Sequence, residues 1–210
     1  MLKILIADDH PIVRRGLMQI LSDEADIAVV GEAQNGREVL ELVRQESWDA
    51  VVLDIAMPGR GGLDTLSELK RLYPKLPVLM LSIHSEDQFG VRALQAGADG
   101  YLNKESAPDE LVNAIKKIIK GGKYVSPTLA EKLAFVVGSK TAPLDSLSLR
   151  EYQVMLMLVS GKTLSEIAEE ISLSVKTVST YKTRILEKMN IKNNSELILY
   201  AIKHGLISIP

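Results

Sequence analysis

The sequence predicts an α/β chain: a doubly wound, five-stranded parallel sheet followed by a small all-α domain. Three observations carry this. Short aliphatic runs alternate with helical patterns through the first 120 residues. Those runs lack in/out alternation, as expected of strands covered on both faces. Beyond Gly121 the aliphatic runs stop and only helix-start signals remain. At 210 residues the chain lies between one large domain and two small ones, on a prior of about 150 residues per domain.

The predicted strands are Leu2–Ala7, Ile27–Gly31, Ala50–Leu53, Val78–Leu81 and Gly100–Leu102. Between them, Pro11 suits a first helical turn, and Asn35 with Glu38 and Ser85 with Gln88 have capping-box spacing. Ser106 before Pro108 and Asp109 starts the fifth helix, which Gly121–Gly122 ends. Thr128–Val137 suits one short helix, and Gly138–Pro143 reads as a tether. Four short helices follow, opened by Ser148 with Glu151, Thr163 with Glu166, Ser174, and Asn193 with Glu196. The domains are therefore 1–120, a linker with a short helix over 121–145, and a helical domain over 146–210.

Composition narrows the function. With 46% hydrophobic and 25% charged residues the chain is globular rather than disordered. The absence of cysteine excludes disulfides and thiolate chemistry. Aliphatic stretches such as Val154–Val159 fall far short of the ~20 residues that span a bilayer, and Asp8–Asp9 interrupt the N-terminal apolar run, unlike a secretory signal. A cytoplasmic chain without membrane contact is expected. The net charge of −2 hides an asymmetry: residues 1–120 hold 14 Lys+Arg against 19 Asp+Glu, residues 121–210 hold 11 against 8, and 174–192 hold five against one. An acidic unit followed by a basic one suggests that only the second meets a polyanion.

In a parallel sheet, side chains at the carboxyl ends of the strands converge on one edge. Those ends carry Asp8–Asp9, Asp54, Ser82 and Lys104. With strand order 2-1-3-4-5, the first and third strands flank the switch point, and three carboxylates share one crevice. Such a cluster needs protonation or a cation, and oxygen ligands with no His or Cys nearby favour Mg²⁺ over Zn²⁺. Lys104 and the Ser82 hydroxyl suit a phosphoryl group. Each residue alone has an ordinary explanation: a helix cap, turn chemistry before Met57–Pro58–Gly59, a solvated lysine. Together, at successive strand ends, they define a site. A phosphohydrolase of the haloacid dehalogenase type would want a second Asp where Ala56 stands, and a dinucleotide-binding oxidoreductase would want G-x-G-x-x-G where Asp8–Asp9–His10–Pro11 stands. The three histidines form no metal-ligand pair, and surface placement is expected for His84.

The runs Ile6–Ala7–Asp8–Asp9–His10, Leu53–Asp54–Ile55–Ala56–Met57–Pro58, Leu81–Ser82 and Gly100–Tyr101–Leu102–Asn103–Lys104 together resemble the receiver domain of bacterial response regulators, which has the flavodoxin-like strand order. The resemblance covers residues 1–120. It implies that Asp54 is the phospho-acceptor, that Asp9 ligates Mg²⁺ directly and Asp8 directly or through water, and that Asp54 and the Ala56 carbonyl complete the ligands. It further implies that Ser82 and Lys104 bind the phosphoryl oxygens, that Tyr101 moves on activation, and that a sensor histidine kinase is the donor. A receiver working by protein contacts without phosphorylation is the alternative, against which the complete acidic pocket argues.

Thr163–Ile171, a short turn and a helix from Val175 to Met189 have the proportions of a helix-turn-helix. Val178, Tyr181, Ile185 and Met189 form a core stripe on the second helix. Lys176, Ser179, Thr180, Thr183 and Glu187 lie opposite, flanked by Thr177, Arg184 and Lys188. A small interaction bundle with merely solvated cations would show the same pattern. However, Leu149–Arg150–Glu151, Ser160–Gly161–Lys162, Glu166–Ile167–Ala168, Val175–Lys176–Thr177–Val178, Tyr181 and Ile185–Leu186–Glu187–Lys188–Met189 look like the LuxR-type helix-turn-helix, over about 146–206. Receiver plus LuxR-type domain is the layout of the NarL/FixJ transcription regulators. By that resemblance Lys176, Thr177, Ser179, Thr180, Lys182, Thr183, Arg184 and Lys188 face promoter DNA, with 179, 180 and 183 as base readers. The last helix (Ser195–His204) would pair two copies through Leu197, Ile198 and Ala201, giving a homodimer on activation, with RNA polymerase as a candidate partner. No Arg or Lys stands at 179, 180 or 183, which argues against bidentate guanine readout there.

Overall fold

The computed structural model describes residues 1–83, 86–136 and 143–207. The chain forms two compact units, Met1–Val137 and Gly138–Pro210.

The first unit alternates β1 (Leu2–Ala7), α1 (Pro11–Ser22), β2 (Ile27–Ala33), α2 (Gly36–Gln45), β3 (Ala50–Asp54), α3 (Gly62–Leu72), β4 (Val78–Ser82), α4 (Glu86–Gln95), β5 (Gly100–Asn103) and α5 (Ala107–Ile119). All strand pairs are parallel, in the order β2-β1-β3-β4-β5. Every residue of β3 and β4 is buried, which explains why their sequences do not alternate. Ile4, Ile6, Val52, Leu79, Leu81 and Leu102 pack against Leu17 and Leu21 of α1 and Leu111, Ile115 and Ile118 of α5. The alternate strand residues, among them Leu5, Val51, Leu53 and Met80, are also fully buried, on the face that the pleat turns away from α1 and α5. Asn35 caps α2 by accepting from Arg37 and Glu38 N–H, while Pro11 opens α1. Ser85, the expected cap of α4, and the neighbouring His84 lie outside the described residues, as does all of the Gly138–Pro143 tether except Pro143, which opens a 3-10 turn.

The segment after α5 is docked. Gly121 adopts positive φ and ends that helix, and Tyr124 then bridges Gly100 in parallel beside β5. Next, α6 (Pro127–Val136) sits on α4. Ser126 Oγ bonds Glu86 and accepts the Leu129 N–H, and Leu129 is 1% exposed. A Cβ at Gly90 would lie 2.8 Å from Leu129 Cδ2, so the bare Gly90 backbone is what lets Leu129 seat.

The second unit holds a 3-10 turn (Pro143–Ser146), α7 (Leu149–Val159), α8 (Leu164–Glu170), α9 (Val175–Met189) and α10 (Asn194–Lys203). Full capping boxes open α7 and α8, and Ser174 and Asn193 cap α9 and α10. The core gathers Val154, Met155, Leu158, Ile167, Val178, Ile185, Leu197 and Ala201. Between α8 and α9, Ser172 takes a left-handed conformation with φ of 52°.

An acidic pocket and a polar helix face

Strand ends build the first site. Asp8 and Asp9 follow β1, Asp54 ends β3, Ser82 ends β4, and Lys104 follows β5. Asp8 and Asp54 are buried at 0% and 1% exposure, and Asp9 is half-buried. Lys104 Nζ lies 2.7 Å from Asp8 Oδ2 and 2.9 Å from Asp54 Oδ2. The β3–α3 loop closes tightly over the strand end: a Cβ on Gly62 would fall 1.8 Å from the Asp54 carbonyl oxygen.

Burial pushes the Asp54 carboxyl up to about 6. The Lys104 ammonium opposes that rise and the Asp8 charge adds to it, while the Ala56 N–H donates to Asp54 and lowers it. Lys104 shows the reciprocal effect: burial pulls it down, but the two carboxylates more than offset that, and it stands above its ordinary value. Ser82 is buried, and its hydroxyl bonds the Tyr101 phenol. Tyr101 is itself fully buried, which raises its pKa.

Three carboxylates faced by one ammonium leave negative charge uncompensated. Among the described residues, Asp8 Oδ2, Asp9 Oδ1 and Asp54 Oδ2 are buried and accept no hydrogen bond of ordinary geometry, although Lys104 is within ion-pair distance of the first and last and His10 of the second. Buried, under-satisfied carboxylate oxygens fit a hard divalent cation.

Two nearby residues had no signal in the sequence. The three carboxylates were expected to have no histidine nearby; His10 in fact adjoins them. The His10 ring Nδ1 lies 2.8 Å from Asp9 Oδ1 and 3.2 Å from Asp8 Oδ1, and the His10 backbone N–H donates to Asp8 Oδ1 at 2.8 Å. Arg14, buried on α1, donates to the Asp8 carbonyl at 2.7 Å and pairs with Glu32. Arg14 thereby fixes the backbone that carries the two aspartates.

In the second unit Lys176, Ser179, Thr180, Thr183 and Arg184 are exposed on α9, with Thr177 and Lys182 half-buried. Thr180 and Thr183 hydroxyls donate to the Lys176 and Ser179 carbonyls. Lys188 stands apart, because its Nζ lies 2.6 Å from Glu151 Oε2 and Glu151 is buried on α7. The Arg150–Glu151 pair thus has a physical role. Arg150, buried, donates to the carbonyl of Ile171 at the end of α8, and Glu151 holds α9. Two adjacent residues of α7 thus tie it to both helices of the helix-turn-helix.

The expectation for α10 needs correction. Leu197 and Ala201 are 0% exposed and belong to the domain's own core, so they cannot pair two copies. Ile198 is half-buried, and the apolar side chain left on the surface is Leu199, at 65% exposure. Sequence periodicity showed apolar surface on this helix without showing which side faces α7.

Comparison with known proteins agrees with the geometry. Residues 4–116 match the response regulator receiver domain, and residues 145–201 match the bacterial regulatory proteins of the luxR family. The chain is 40% identical to the response regulator GacA of Pseudomonas aeruginosa over 99% of its own length and 98% of that protein's. It is also 40% identical to the response regulator UvrY of Escherichia coli K12, covering 98% and 96%. Among solved structures, the complex of the response regulator RcsB with DNA superposes with a TM-score of 0.68 at 26% identity, covering 95% of this chain and 97% of that one. RcsB from Salmonella enterica bound to the rprA promoter with the phosphomimetic BeF3− gives 0.67 at 26% identity over the same shares.

Fold and site together define a response regulator: a two-component receiver joined to a LuxR-type DNA-binding domain. Within that class, the chain belongs to the NarL/FixJ family.

Proposed function

We propose that Asp54 accepts a phosphoryl group from a sensor histidine kinase and that this controls promoter binding by α9. The observation that carries it is one buried carboxylate, Asp54, held between Lys104 and a second aspartate at a sheet edge. An Asp54 oxygen attacks phosphorus; the P–N bond to the donor imidazole breaks as the new P–O bond forms. Lys104 offsets the charge growing on the phosphoryl oxygens. Asp8, Asp9, Asp54 and the Ala56 carbonyl would hold Mg²⁺, which supplies further charge neutralisation when bound. The acyl phosphate carries nearly two negative charges where the carboxylate carried one, and it presents three strong acceptor oxygens. The Ser82 hydroxyl then has a stronger acceptor than the Tyr101 phenol, and the β4–β5 edge repacks around it.

The chain consumes its own carboxylate, so its chemistry is limited to self-phosphorylation from small donors and slow self-dephosphorylation; Ala56 supplies no acid for faster turnover. The receiver role falls to residues 1–120 and DNA binding to 146–210. Lys176, Lys182 and Arg184 serve as phosphate contacts, and Ser179, Thr180 and Thr183 meet bases. Solved RcsB structures contain promoter DNA and, in one case, two dimers on two parallel DNAs. By analogy this chain binds as a homodimer, with Ile198 and Leu199 as the accessible apolar surface of α10. A promoter-binding regulator works in the cytoplasm and meets RNA polymerase there. No helix among the described residues is long and apolar enough to cross a membrane.

Acetyl phosphate with Mg²⁺ should add one phosphoryl mass to the wild type and none to Asp54→Ala, with labelling lost in EDTA. Intact mass spectrometry reads this directly. Undiminished labelling of Asp54→Ala, or full labelling in EDTA, would overturn the assignment.

A further inference from the structure

The exposed face of α9 is short of polar groups that can read bases. Ser179, Thr180 and Thr183 occupy its outward positions, but their hydroxyls are not equivalent. Thr180 Oγ1 donates to the Lys176 carbonyl at 3.0 Å and Thr183 Oγ1 to the Ser179 carbonyl at 3.2 Å. Both protons are therefore engaged by the helix's own backbone one turn earlier. The Thr177 hydroxyl is engaged as well, with Ser174 in the helix cap. The Ser179 hydroxyl makes no hydrogen bond within the described residues. No Asn, Gln or Arg stands at the three outward positions.

A threonine whose hydroxyl is turned back onto its helix has its methyl left to reach outward. The major groove offers one apolar feature, the C5-methyl of thymine. Turning either hydroxyl proton toward a base acceptor would exchange one hydrogen bond for another, whereas contact between methyl groups buries apolar surface without that exchange. We propose that Thr180 and Thr183 read thymine methyl groups, so that this chain selects thymine rather than guanine beneath the N-terminal half of α9. Ser179 supplies the polar contact beside them. The inference rests on the reading above, in which α9 is the helix in the groove.

The test uses the full chain, with and without acetyl phosphate, to select duplexes from a random pool. Each thymine of the selected site is then replaced singly by deoxyuridine, which removes only the methyl. At positions beneath α9, replacement should weaken binding about fourfold, the factor that corresponds to ~0.8 kcal/mol for one buried methyl. Thr180→Val and Thr183→Val keep a methyl and remove the hydroxyl, so they should retain the difference between thymine and deoxyuridine. Thr180→Ser and Thr183→Ser keep the hydroxyl and remove the methyl, so they should abolish it. Equal binding of both bases at every position, a selected site without thymine there, or sensitivity that survives in the Ser but not the Val variants overturns the proposal.

Salt titration separates this from the underlying reading. If Lys182→Ala weakens all duplexes and lowers the salt slope by about one unit, α9 is in the groove, and a silent deoxyuridine scan removes only the methyl readout. If Lys182→Ala changes neither affinity nor slope and the scan is silent, α9 is not the DNA contact and the proposal falls with it.

Discussion

Lys188 shows how a single residue's role depends on what the fold places beside it. In sequence it is one of five cations over residues 174–192, but its ammonium pairs with Glu151, a buried carboxylate on another helix. Burial raises the pKa of that carboxyl, but the Lys188 bond and the Ser148 N–H outweigh burial and hold it below its ordinary value. A depressed carboxyl stabilises the fold above its unfolded pKa, and this is lost as pH falls through the folded value. Lys188→Ala should therefore destabilise the helical unit by about 1–3 kcal/mol at neutral pH and move its acid unfolding edge upward. Lys182→Ala should do neither. Thermal melts across pH 3–7 check this, and equal melts for both variants would show the pair to be incidental. The convergence of Asp8, Asp9, Asp54 and Lys104 was legible because parallel strands send their carboxyl ends to one edge. His10 and Arg14 were not legible, because their contacts depend on the turn after β1 and on the rotation of α1 against the sheet.

At the scale of elements, the starts of α2 and of α7 to α10 followed from the sequence, since the caps at Asn35, Ser148, Thr163, Ser174 and Asn193 are local chemistry, while the strand order came with the family resemblance. What could not be read was docking. The α6 segment is apolar on several sides and displays no single stripe, so nothing local shows that it covers α4. Because Leu129 is buried there, Leu129→Ala should cost the first unit about 2–5 kcal/mol; denaturant unfolding with no change would mean that α6 is free of the receiver. The helix-turn-helix corner gives the opposite sign. Ser172 sits at positive φ, where glycine has no Cβ penalty, so Ser172→Gly should stabilise the helical unit by roughly 1 kcal/mol. A lower melting temperature in that variant would contradict the assigned strain.

At the scale of the whole molecule, an acidic receiver with the carboxylate cluster precedes a basic LuxR-type DNA-binding domain, and charge asymmetry along the chain made that division visible. The receiver's Ser82–Tyr101 bond and the Tyr124 bridge beside β5 place the proposed switch pair next to the segment that leads out of the receiver. The order of those contacts is set by tertiary packing and is not written in any local motif. Allosteric coupling in such systems amounts to ~1–3 kcal/mol, or about 5- to 150-fold in affinity. The most direct measurement is the affinity of the full chain for a selected duplex, with and without acetyl phosphate and Mg²⁺, in wild type and Asp54→Ala at fixed salt. The wild type should tighten by a factor in that range while Asp54→Ala stays unchanged. An equal shift in Asp54→Ala, or no shift in wild type whose mass shows the added phosphoryl group, would contradict control of DNA binding through Asp54.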